Sequence, residues 1–173
     1  MLDRLSRVVK HRWRELTASE RGISPAMVER LRQRVAASEQ RHSGEIRIYI
    51  EAGLPWSYLW RPTPTPQITR QRALALFGKL GVWDTANNNG VLIYLLLAER
   101  SIEVVADRGL HAVVAPPVWG AMVAQMRSAF QAGQFEEGLT QALEHVSALL
   151  VHHFPLSPGE LNPNELPDSP VLN

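Results

Sequence analysis

The stretch GVLIYLLLAERSIEVVADRG, from Gly90 to Gly109, holds two apolar runs, Val91–Leu97 and Ile102–Ala106, joined by Ala98-Glu99-Arg100-Ser101. Each run is short and ends at polar or glycine residues, which marks strands rather than helices. The tight connection makes them an antiparallel hairpin. The first run is apolar on both faces, as a central strand covered on both sides must be. In such a pair the entering segment Asn87–Gly90 and the leaving segment Asp107–Gly109 lie side by side, so the open end of the hairpin is the natural place for a site.

Upstream, Gln67–Leu80 is predicted as a helix with Ala73, Leu74, Leu76, Phe77 and Leu80 inward, stopped by Gly81. Glu45–Glu51, EIRIYIE, alternates strictly and places Ile46, Ile48 and Ile50 on one face, the pattern of a half-buried strand. Ser24-Pro25 reads as an N-cap with proline in the first turn. That helix runs through Met27, Val28, Leu31, Val35 and Ala36 and ends near His42. A crossover that contains a helix allows the first strand to lie parallel to Val91–Leu97.

Downstream, a helical turn over Leu110–Val114 precedes a helix opened by Pro116-Pro117, with Val118, Met122, Met126 and Phe130 inward and Gly133 as its stop. Phe135–His153 is the last helix. The order α-α-β-α-β-β-α-α gives an α/β fold: a three-layer α/β/α sandwich with a small mixed sheet around the central antiparallel hairpin.

Three segments result. Residues 1–16 form a basic amphipathic helix, with Leu2, Leu5, Val8, Val9 and Trp13 at helical spacing; residues 22–153 are the domain; residues 154–173 are a Pro/Asn-rich tail, extended or disordered rather than helical.

The 173 residues fit one domain and include no cysteine, which excludes a disulfide scaffold, a Cys-ligated zinc and a thiol nucleophile. Net charge is +1, so no overall field points to nucleic acid. The charge is uneven: residues 1–47 carry eleven Lys/Arg against six Asp/Glu, and the tail carries Glu160, Glu165 and Asp168 with no base. Residues 1–16 show no signal-peptide pattern, and the longest apolar run, Val91–Ala98, is far below the ~20 residues that span a bilayer. A soluble cytoplasmic protein is the expectation. The basic helix either packs on the domain or lies against an anionic membrane as a peripheral contact.

Asp84, Asn87, Asn88 and Asn89 make an oxygen-rich loop, and Asp107 enters from the other turn. Hard cations such as calcium or magnesium take mixed carboxylate, amide and carbonyl oxygens, so Asp84, Asn87, Asn88 and Asp107 are the candidate metal ligands. The competing reading is turn chemistry, since Asn accepts left-handed backbone and caps its own turns. Arg72, Arg100 and Arg108 are candidates for an anion such as phosphate, or else pair with Glu99, Glu103 or Asp107. The proline-stiffened loop Gly53–Pro66 carries Trp56, Tyr58, Leu59 and Trp60; Trp56 and Trp60 either anchor a partner or tuck onto the core. The tail either docks on the basic first helix or is a disordered end. No nucleophile elbow, zinc-protease, P-loop or aspartyl-phosphate motif is present in the sequence, which argues against strong catalysis.

Gly81, Asn88-Asn89-Gly90, Arg100, Asp107-Arg108-Gly109 and Gly133-Gln134-Phe135-Glu136-Glu137-Gly138 occur in an order and spacing that resembles the TPM domain, over roughly Ile23–Leu150. That family is found in bacterial proteins and in a plant thylakoid acid phosphatase. The resemblance implies an α/β/α sandwich, calcium or a related divalent ion in some members, acid phosphatase activity in some, and a LemA-type membrane protein as a partner. One segment departs from the pattern. Where typical members carry an Asp-rich stretch, Thr17–Ser24 has no Asp and brings in Arg21, which weakens the transfer of ion binding and phosphatase activity.

Overall fold

The computed structural model describes residues 7–9, 11 and 23–173. Helix α1, Pro25–Glu39, starts at an N-cap where Ser24 Oγ accepts the Met27 N–H at 3.1 Å. Strand β1, Ile46–Glu51, follows, then the short α2, Trp56–Leu59, and α3, Thr65–Lys79. The hairpin is β2, Val91–Leu96, and β3, Ser101–Ala106, joined through a 3-10 turn at Leu97–Glu99 and Arg100 in left-handed backbone (φ 49°). Helices α4, Arg108–Val113, α5, Pro116–Gln131, and α6, Phe135–His153, precede a last strand β4, Val171–Leu172.

The sheet order is β3-β2-β1-β4. β2 and β3 are antiparallel, with Val91 opposite Ala106 and Leu96 opposite Ser101. β1 runs parallel to β2, with Ile46 opposite Val91. One face of the sheet, from Ile46, Ile48, Ile50, Val91, Ile93, Leu95 and Val104, packs on Leu31, Met126, Phe130 and Val146 of α1, α5 and α6. The other face, from Tyr49, Leu92, Tyr94 and Val105, packs on Leu59, Ile68 and Leu76 of α2 and α3. This is the expected three-layer arrangement.

Four local expectations need correction. β1 is not half-buried: all six residues are buried, and its charged face carries Arg47 and Glu51 at 8% and 0% exposure. Leu74 of α3 and Val118 of α5, expected inward, are 49% and 43% exposed, because the sheet contacts of those helices fall on Ile68–Ala73–Leu76 and on Met122–Met126–Phe130. The segment Gly53–Pro66 is not all loop: it contains α2 and the first turn of α3. The tail is extended, as expected, but it also contributes β4, which pairs in parallel with β1 through Tyr49–Val171 and Ile50–Leu172.

Of the basic segment 1–16, only Arg7–Val9 and His11 are described, and they are helical; the rest, and Thr17–Gly22, lie outside the described residues. Arg7 donates to the carbonyls of Leu59, Arg61 and Thr63, at 3.1 Å for Thr63, and so ties this segment to the end of α2. His11 Nδ1 accepts the Leu54 N–H at 3.0 Å, leaving Nε2 to donate to Glu99 at 2.8 Å. Among the described residues no helix is long and apolar enough to cross a membrane.

Candidate functional site

The β2–β3 ladder continues past the strands. The Asp107 N–H donates to the Gly90 carbonyl at 2.9 Å, and the Gly109 N–H donates to the Asn88 carbonyl at 2.9 Å. The two glycines are required by close approach, not by unusual φ. A Cβ on Gly90 would sit 1.9 Å from the Val82 carbonyl oxygen, and one on Gly109 would sit 2.5 Å from that of Asn88. The left-handed residue is Asn88 itself, at φ 52°, a conformation Asn accepts better than most side chains. Its turn is closed by the Thr85 carbonyl, which accepts the Asn88 N–H at 3.1 Å, and by Thr85 Oγ1, which accepts the Asn89 N–H at 3.1 Å.

These contacts sort the candidate ligands. Asn88 Oδ1 is taken: Arg108 donates to it from Nε at 2.8 Å and from Nη2. A guanidinium on that oxygen does not fit a cation there. Asn87 is exposed and donates through Nδ2 to Ser43 Oγ at 3.4 Å, and Asp84 is exposed. Asp107 is 9% exposed; its Oδ1 caps α4 by accepting the Arg108 N–H at 2.7 Å, while its Oδ2 is buried without a hydrogen-bond partner. Asn89 is fully buried, donates to Ser43 Oγ at 3.3 Å, and its Oδ1 also has no partner. Buried polar atoms are nearly always satisfied, so Asp107 Oδ2 and Asn89 Oδ1 stand out as the two side-chain oxygens of these turns without a partner. Asn89 was outside the ligand set expected from sequence. Among the described residues no group of three His, Cys, Asp or Glu converges as a metal cluster.

The tail reaches this end. Both Glu165 carboxylate oxygens accept the Ala86 N–H, at 3.0 and 3.2 Å, and Glu45 Oε2 accepts the Leu166 N–H at 3.0 Å. Burial raises the Glu45 carboxyl above its ordinary range, against the lowering pull of the Leu166 amide. Sequence reasoning had no signal for Glu165 at the site beyond its sign.

The remaining candidates lie elsewhere. Arg100 is at the closed tip of the hairpin and donates to the Gln131 carbonyl; the six residues of β3 put it about 20 Å from Arg108. Arg72 is committed to a buried network: its Nη2 and Nε donate to Glu51 at 2.6 and 3.0 Å, and Tyr94 Oη donates to the same carboxylate at 2.6 Å. Burial, then the Glu51 charge, raise the Tyr94 phenol above its ordinary pKa. The three arginines therefore do not form one anion site. Trp56 and Trp60 are 51% and 53% exposed, but they follow the carboxyl end of β1, whereas Asn87–Gly90 leads into the amino end of β2. A single groove lined by both segments is not formed. Ligands of open α/β sheets commonly sit at the carboxyl ends of parallel strands; here Glu51, Arg72, Tyr94 and His11 fill the space at that end.

The family model described as the TPM domain matches residues 17–149. Among solved structures, the NMR structure of BA42 protein from the psychrophilic bacterium Bizionia argentinensis sp. nov. superposes with a TM-score of 0.72 at 23% identity, over 89% of this chain and 97% of that one. The solution NMR structure of the N-terminal domain of a protein from P. gingivalis superposes with a TM-score of 0.58 at 24% identity, over 78% of this chain and 82% of that one. Among curated proteins none matches.

Proposed function

This chain belongs to the TPM domain family, and from that premise we propose that it is a binding module whose open hairpin end takes a divalent cation, calcium or magnesium, and presents it to a protein partner. One observation carries the reading: Asn89 Oδ1 and Asp107 Oδ2 are buried, unpartnered oxygens beside the two turns. Calcium takes about six to eight oxygens. With Asp107 Oδ1 capping α4 and Asn88 held by Arg108, this end offers too few side-chain oxygens to close a shell. Such a site binds weakly alone and more tightly when a partner's acidic or carbonyl oxygens complete it. A LemA-type membrane protein is the partner that family association suggests.

Calorimetric titration of the whole chain with calcium and with magnesium tests this. Asp107→Asn keeps the α4 cap oxygen and removes the charge, and is expected to lower affinity at least tenfold while the fold stays intact. Equal binding by both chains would reject the site. Metal-dependent hydrolysis of a phosphate ester, lost in Asp107→Ala, would instead establish a divalent-cation-dependent acid phosphatase.

A further inference from the structure

The buried charged face of β1 is unusual. Glu45, Arg47 and Glu51 recur every second or fourth residue and are 0%, 8% and 0% exposed. Each is answered by the tail. Glu45 accepts the Leu166 N–H; Arg47 donates to the carbonyls of Pro167 and of Ser169, the latter at 2.9 Å; Glu51 accepts from Asn173 Nδ2 at 3.1 Å. Between them Tyr49 and Ile50 pair with Val171 and Leu172, the Asn173 N–H donates to the Ile50 carbonyl at 3.0 Å, and the Ala52 N–H donates to the Asn173 carbonyl at 2.8 Å. Leu166 and Val171 rest on the apolar cluster of the α3 layer. β1 thus reads an extended peptide, main chain by hydrogen bonds and two apolar side chains by packing, which is the chemistry of strand addition at a sheet edge.

The loop that delivers this peptide is a closed excursion. Pro155 forms an isolated bridge with His42, and Asn162 Nδ2 donates to the His42 carbonyl at 3.2 Å, so the chain leaves and returns at one residue. Between them it reverses on one exposed turn, where the Glu160 N–H donates to the Ser157 carbonyl at 2.9 Å and Gly159 has φ +84°. Every contact the tail makes with β1 is kept if the turn opens and the tail docks on another copy.

We infer that the β1 edge is an extended-peptide site whose occupant in trans is the Asn162–Asn173 segment of a second copy of this chain, exchanged reciprocally about the Ser157–Glu160 turn. Exchange would also deliver the second copy's tail carboxylate to the Ala86 amide, so that each Asn-rich loop is braced by the other copy. This does not depend on cation binding.

Gly159→Pro with Glu160→Pro makes a run of three prolines with Pro158, which is extended and cannot reverse. The doubly substituted chain is expected to run by light scattering at twice the 19.4 kDa of one chain, and adding Val171→Asp, which ruins the docking residue, is expected to return it to one. A folded monomer from the double variant overturns the exchange. Should that variant fail to fold, the unaltered chain decides: labelled and unlabelled copies are refolded together at high concentration and examined by isotope-filtered NMR. Contacts between Tyr49 of one copy and Val171 of another are expected, and contacts within one copy only overturn the inference.

Discussion

Arg108 in the turn leaving the hairpin grips Asn88 in the turn entering it, with Nε 2.8 Å from Oδ1. The main chains of the same two turns are joined by the Gly109 amide and the Asn88 carbonyl at 2.9 Å. The paired motif is therefore a clasp. It fixes the two turns so that Asn89 and Asp107, one residue to the side in each, keep their oxygens in place.

The clasp predicts unequal costs for its parts. Gly90→Ala forces a methyl group onto the Val82 carbonyl oxygen at 1.9 Å, contact with backbone that cannot swing away. Overpacking of this kind costs about 1–3 kcal/mol, often more against main chain, and urea unfolding should show at least ~2 kcal/mol lost. Arg108→Ala removes exposed hydrogen bonds only and should cost under ~1 kcal/mol.

The network at the other end of the sheet predicts a larger penalty. Glu51 is fully buried and its charge is balanced by Arg72, whose side chain is 14% exposed. Arg72→Ala leaves that carboxylate unpaired, which typically costs about 3–5 kcal/mol. Tyr94→Phe removes one donor and should cost about 1–3 kcal/mol. Chemical denaturation of both variants checks the order; equal costs would contradict it.

Stability should fall toward alkaline pH. Burial, chiefly, pushes the Glu39 carboxyl from 4.5 to about 9, so the native chain holds a proton that the unfolded chain releases above 4.5. Its contribution is complete below 4.5 and is lost as pH rises to about 9. Burial also lowers His42 from 6.5 to about 4, so the unfolded chain binds the extra proton between those values, and stability from this group is lost as pH falls through them. The His42 and Glu39 slopes oppose each other from about 4.5 to 6.5; above that Glu39 contributes a decline of up to about 1.4 kcal/mol per pH unit, in the same direction as Glu45 and Glu103, whose carboxyls burial also raises. Glu39→Gln keeps an acceptor for the Ile46 N–H, 2.9 Å from Oε1, and should make the alkaline decline in thermal unfolding midpoints shallower. A decline of unchanged slope would place its origin elsewhere.

The hairpin and its flanking helices were legible because Val91–Leu97 and the helical stripes repeat strongly. β1 was legible as a strand but not as a buried one. Alternation in EIRIYIE assigns the charged face to solvent, and only the tail's amides and carbonyls explain why Glu45 and Arg47 stand inside. β4 is two residues long and follows Pro170, too little for any periodicity to show. At the site, the loop was found from composition, but which oxygens are spoken for depends on Arg108 and Ser43 arriving from distant segments. Asn88 and Asn89 are alike in sequence, and only the folded chain separates the oxygen that Arg108 holds from the one left without a partner.

The most direct test of the open-end site is a calcium titration of the whole chain followed by NMR. The account predicts saturable shifts centred on the Asn89 side-chain amide and on the backbone of Gly90 and Asp107, with Arg100 and Trp60 unmoved and the response lost in Asp107→Asn. Titration to saturation with no shift at Asn89 or Asp107 would contradict it.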